Sequence, residues 1–224
     1  MVPRPIRSAL LLYGVFTGLA FLWASAEGRA ILTPPAEAWW ALPSGAATVG
    51  SLGRGLARAT VTVASTRLLV RRARWARELH VSFRGLLVPL TNGQIALLAL
   101  TSGIAEELFF RGAMQPAFGL PLTSLIFGLL HVGPGRAFLP WTLWAVLMGF
   151  CFGAIVAATG SLAGCVLAHV LINHRNLHFI AAHDVSSRGP HPGRQRASQP
   201  SPLPGPLSAS LGSSLGETEP VARR

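Results

Sequence analysis

Charge is scarce in this sequence. Only 12% of its 224 residues are Asp, Glu, Lys or Arg, eight of them acidic, while 50% are hydrophobic and the mean hydropathy is +0.47. Soluble domains carry roughly 25% charged residues, so the composition speaks against a soluble fold and for one polytopic membrane domain with tails. Cysteine is scarcer still. Cys151 and Cys165 both lie inside apolar runs, where a thiol behaves as a small hydrophobe, and no cysteine pair brackets an exposed loop. That excludes a disulfide framework and a cysteine metal site. The shortage of acid leaves a net charge of +11, but the arginines cluster between apolar runs and in the C-terminal tail. Positive flanks of membrane spans explain this placement better than a nucleic-acid footprint, so the expected surroundings are a lipid bilayer and no nucleic acid.

What is present is a series of apolar segments. Residues 8–26 read as a first span, with Tyr13 and Trp23 as interfacial aromatics. Arg4 and Arg7 precede this run and Ala24-Ser25-Ala26 end it, as in a secretory signal. Its length and the spans that follow favour an uncleaved helix. Residues 27–43, with Pro34-Pro35 and Trp39-Trp40, read as a loop and an interfacial anchor. Residues 42–63 are rich in Gly, Ala, Ser and Thr and include Arg54 and Arg58, and suit either a tightly packed span or an amphipathic interfacial helix. Residues 67–84 hold six arginines and read as a solvated or headgroup-facing loop. Further spans are expected over 86–114, 120–132, 138–159 and 161–182, with a break at Pro116, Gly119 and Pro121. The fold class is therefore all-α, a polytopic membrane helical bundle of about five or six transmembrane helices. It divides into N-terminal membrane segments and a basic loop (1–85), a core (86–183) and a disordered tail (184–224) too poor in apolar residues to offset its chain entropy.

Within the core, Glu106 and Glu107 are adjacent carboxylates near the end of an apolar run. An ionisable group at the centre of a membrane helix costs about 2.5–3.5 kcal/mol on insertion scales, so these two suggest a functional site. Glu107 and Arg111, Phe127 and His131, and His169 and Asn173 are each four residues apart and share a helix face. At about 1.5 Å per residue, Glu106, His131 and His169 lie roughly 12, 16 and 12 Å from one boundary, so they can meet in one pocket. Such a carboxylate can take a proton from water, and two imidazoles can orient the water or, with Glu106, bind a divalent metal, zinc by donor type. Asn173 can donate to an oxyanion. Glu107 with Arg111 reads as an intrahelical ion pair, Phe127 as packing, and His174, His178 and His183 as interfacial residues.

Taken in order, Glu106-Glu107-x-x-x-Arg111, Phe127-x-x-x-His131 and His169-x-x-x-Asn173 resemble the CPBP, or Abi, family of intramembrane metalloproteases. That family includes the type II CAAX prenyl endopeptidases and proteins linked to bacteriocin self-immunity. The resemblance implies an endopeptidase in which Glu106 and His131 activate water, His169 and Asn173 stabilise the oxyanion, and Glu107 and Arg111 support the site. It also implies a membrane-associated peptide or protein substrate and a place in the cell membrane. Two other readings use the same residues: a non-catalytic immunity or adaptor protein binding through the cleft, and a proton-coupled carrier.

Overall fold

In the computed structural model, residues 4–32, 43–87, 89–133 and 135–186 are described. The expected anchor at Trp39-Trp40 and the expected disordered tail from residue 187 onward fall outside them. The described residues form helices and connecting turns. They are α1 (Arg4–Ala26), α2 (Ser44–Arg72), α3 (Arg74–Leu87), α4 (Asn92–Glu107), a π-helical stretch (Leu108–Met114), α5 (Gln115–Leu129), a 3-10 turn (Arg136–Phe138), α6 (Leu139–Thr159) and α7 (Ala163–Ala182).

Three stretches are long and apolar enough to cross a membrane: Ile6–Ala26, Asn92–Leu129 and Leu139–Thr159. Large apolar side chains point outward along them, among them Leu11, Leu22, Leu125 and Leu143. In water such a surface would be an aggregation liability, whereas in hydrocarbon it is solvated. The chain is an all-helical integral membrane bundle, as the composition implies.

Small residues hold α2 in the bundle although it is too polar to rank with those three. A Cβ added to Gly55 would lie 2.1 Å from the Gly164 carbonyl oxygen, so the backbones of α2 and α7 touch. The Ser51 hydroxyl accepts from the Gly164 amide at 3.0 Å and donates to the Ser161 carbonyl at 3.1 Å. Close backbone approach at Gly and Ser is how helices associate where no hydrophobic drive separates protein from solvent.

Several expectations need correction. The basic stretch 67–84 is helical, not a loop: α2 runs to Arg72, Ala73 alone is extended, and α3 follows. Arginine is a good helix former, and these arginines make contacts. Arg67 donates to Asn176 Oδ1 (2.9 Å) and the Arg175 carbonyl (2.7 Å), while Arg84 caps the end of α7 by donating to the Ile180 and Ala181 carbonyls. The next helix starts at Asn92 rather than Leu86, because Thr91 and Gln94 form a reciprocal capping box. The break expected at residues 116–121 centres on Gly119, whose φ of 77° and ψ of 166° are open to glycine. Tyr13, expected at an interface, makes a contact within the protein. It lies well inside α1, half-buried, with its hydroxyl at Ser102.

Candidate active site

Glu106 and Glu107 close α4, and the chain then enters the wider π-helical stretch that carries Arg111. Such turns are rare and concentrate at functional sites. Glu107 and Arg111 are fully buried, with Arg111 Nε 3.4 Å from Glu107 Oε2. Arg111 also donates through Nη2 to the Gly149 carbonyl of α6 at 3.0 Å, and its guanidinium lies 4.5 Å from the centre of the Phe127 ring. Charge, hydrogen bonding and an aromatic face together compensate a guanidinium that has left water.

Glu107 has a second partner that spacing within one helix does not reveal. Its Oε1 accepts from His169 Nδ1 at 2.7 Å, across the α4–α7 contact. Because a carboxylate only accepts, this bond puts the His169 proton on Nδ1 and leaves Nε2 with a lone pair. Phe152 stacks on the His169 ring at 5.2 Å and fixes its plane.

His131 is oriented in the same way from a different element. It follows the end of α5, where its Nδ1 donates to the Phe127 carbonyl at 2.6 Å, again leaving Nε2 free of hydrogen. The Thr142 hydroxyl holds the His131 carbonyl at 3.2 Å, and Trp141 packs against its ring at 5.2 Å. Phe83 of α3 packs on Trp141, so this helix lies beside the His131 end of the site.

The two Nε2 atoms converge on one oxygen. Glu106 Oε2 is 3.6 Å from His131 Nε2 and 3.9 Å from His169 Nε2, beyond hydrogen-bond distance from either, and it is buried with no hydrogen-bond partner. Glu106, His131 and His169, placed separately on the sequence, therefore come together at one oxygen. Asn173 sits apart from that oxygen in its bonding: its Nδ2 donates to Ser102 Oγ at 2.9 Å. Ser102 was not anticipated from the sequence, yet it precedes Glu106 by four residues, and the same helical spacing that pairs Glu107 with Arg111 would have found it. No group of three or more His, Cys, Asp or Glu side chains among the described residues is drawn together closely enough to hold a metal ion. The three groups suit zinc in kind without closing into a ligand cage.

Residues 88–174 match the family model described as type II CAAX prenyl endopeptidase Rce1-like. Among curated proteins, the chain resembles the "Uncharacterized protein YpbD" of Bacillus subtilis (strain 168), with 36% identity over 81 residues, 35% of this chain and 41% of the relative. The match thus covers well under half of the relative's length. No solved structure matches. The stretch 88–174 that resembles this family contains Glu106, Glu107, Arg111, His131, His169 and Asn173.

Proposed function

We propose that the protein is an intramembrane endopeptidase that hydrolyses a peptide bond of a CAAX-type or other membrane-associated substrate with water activated at Glu106. The observation that carries this reading is the convergence of Glu106 Oε2 with two imidazole nitrogens at 3.6 and 3.9 Å. All three atoms are acceptors, and a water molecule between them can donate its two protons to Glu106 and His131 while being held for attack.

In the proposed reaction Glu106 takes a proton from that water as the oxygen adds to the carbonyl carbon, and His131 Nε2 orients the water through its other proton. The oxyanion is met by Asn173, which keeps one Nδ2 proton for it while the other bonds Ser102. His169 joins as a second donor when Nε2 too carries a proton, taken from solvent before the substrate enters, and Glu107 at Nδ1 balances the resulting charge. Glu106 then returns its proton to the departing amine, and the peptide bond breaks. Glu107 and Arg111 act through His169 and are positioning residues.

Zinc is a separate element of the proposal. Glu106, His131 and His169 would hold it, and a bound ion would supply Lewis-acid polarisation of the carbonyl. No step above requires it, and metal analysis of the purified protein tests for it. The site is proposed to be entered from the end of the bundle that carries α3, since Phe83 reaches Trp141 beside His131. The arginines gathered there put that end in the cytoplasm by the positive-inside rule, and the cell membrane is the proposed location.

The test is a comparison of membrane peptidomes from cells carrying the intact protein and Glu106→Gln. A substrate that accumulates uncleaved only with the variant supports the reading. Identical peptidomes, with the biological effect retained by the variant, would turn it towards a binding protein.

A further inference from the structure

Two arginines of α2 take no part in this site. Arg54 and Arg58 are one helical turn apart and line a cavity of about 640 Å³ bounded by α2, the start of α5 and the second half of α6. The rest of its wall is apolar, chiefly Val61, Leu120, Phe150 and Ile155, and no acidic residue lines it among the described residues. Arg54 donates to the Gly50 carbonyl of its own helix at 3.2 Å. Arg58 has no hydrogen-bond or ion-pair partner among the described residues, and its electrostatic neighbour is the Cys151 thiol.

The depth of these groups is set by the contact between α2 and α7. Gly55 and Ser51 meet Gly164, in the first turn of α7, and the cavity is also lined by Ala158, in the last turn of α6. Arg54 is therefore level with one end of the bundle, and Arg58 lies about 6 Å further in. The opposite end carries Arg71, Arg72 and the basic helix α3. The positive-inside rule accounts for that end and leaves Arg54 and Arg58 needing another explanation.

We propose that this cavity binds an anionic phospholipid, its phosphate held by Arg54 and Arg58 and one acyl chain lying along Leu120, Phe150 and Ile155. Guanidinium groups bind phosphate through charge-assisted, forked hydrogen bonds. The apolar wall decides between lipid and free phosphate, because an inorganic ion gains nothing from Leu120 or Phe150, whereas an acyl chain does.

The experiment uses the purified full chain in neutral detergent. Bound lipid is measured by native mass spectrometry, and the melting temperature is followed during titration with phosphatidylglycerol, with phosphatidylcholine of the same chains, or with inorganic phosphate. Phosphatidylglycerol is expected to saturate at about tenfold lower concentration than phosphatidylcholine, given two charge-assisted contacts, with inorganic phosphate ineffective. The double change Arg54→Gln and Arg58→Gln should erase the difference between the lipids. Ala154→Phe, which fills the cavity and keeps both arginines, should weaken both lipids. Equal saturation by the two lipids on the parent protein overturns the proposal without any variant. So does inorganic phosphate competing as well as phosphatidylglycerol, or phosphatidylglycerol binding unchanged in whichever variant folds.

Discussion

Glu106 and Glu107 are neighbours in sequence with opposite surroundings. On the Glu107 side each group has a partner on another turn or helix: the Arg111 ion pair, the His169 hydrogen bond and, through Arg111 Nη2, the Gly149 carbonyl tie α4, α6 and α7 together, although Glu107 Oε2, Arg111 Nε and Arg111 Nη1 make no hydrogen bond among the described residues. On the Glu106 side one oxygen faces two imidazole nitrogens that stop short of bonding it. The Glu107 network is tied across three elements by an ion pair and hydrogen bonds, whereas Glu106 Oε2 meets its two neighbours without bonding either.

Breaking the Glu107 side should have the largest effect on the fold. Arg111→Ala leaves a buried carboxylate uncompensated, and about 3–5 kcal/mol of stability should be lost, read as a collapse of the melting temperature in detergent. Changing the reactive side should do the reverse. Glu106→Gln should reduce hydrolysis by about 10²–10⁴-fold while leaving the melting temperature near that of the parent, and His131→Ala should fall in the same range. If Glu106→Gln unfolds the protein instead, the two sides are not distinct.

Ser102 sharpens the comparison, because it touches neither side directly. Ser102→Ala frees Asn173 without removing it, and kcat should fall with KM unchanged, by less than the roughly 10²–10³-fold that outright loss of an oxyanion donor costs. Ser102→Thr, which keeps the hydroxyl, should recover most of the rate. A change confined to KM would place Asn173 in substrate binding rather than at the oxyanion.

The smallest effect is expected at α3. Burial pushes the His80 pKa below its ordinary value of 6.5, against the opposing hydrogen bond to the His183 carbonyl at 2.8 Å. The neutral ring's contribution is therefore complete above about pH 6.5 and is lost as pH falls through the lower folded value. The melting temperature should drop slightly on acidification over that window, and His80→Gln should flatten this part of the profile.

How much of this was legible in advance follows from the range of each interaction. Helical spacing and a rise of 1.5 Å per residue were enough to bring Glu106, His131 and His169 to one depth, because those are properties of a single helix and its length. The Glu107–Arg111 pair was readable for the same reason. The bond from His169 to Glu107 was not, since Glu107 already had a partner one turn away and nothing within one helix signals a second. Nor could the π-helical stretch at Leu108–Met114 be read, because its residues suit an ordinary α-helix and nothing in their spacing marks a wider turn. The arginines at 67–84 were read only for their charge. Their helix propensity, and the carbonyls at the end of α7 that Arg84 reaches, made that stretch structural as well.

The most direct measurement compares cleavage of a membrane-peptide substrate by the purified parent protein and by Glu106→Gln of equal melting temperature, in the same lipid. The account predicts that the parent cleaves and that the variant, folded and binding the substrate with similar affinity, does not. Cleavage by Glu106→Gln at the parent's rate would contradict it.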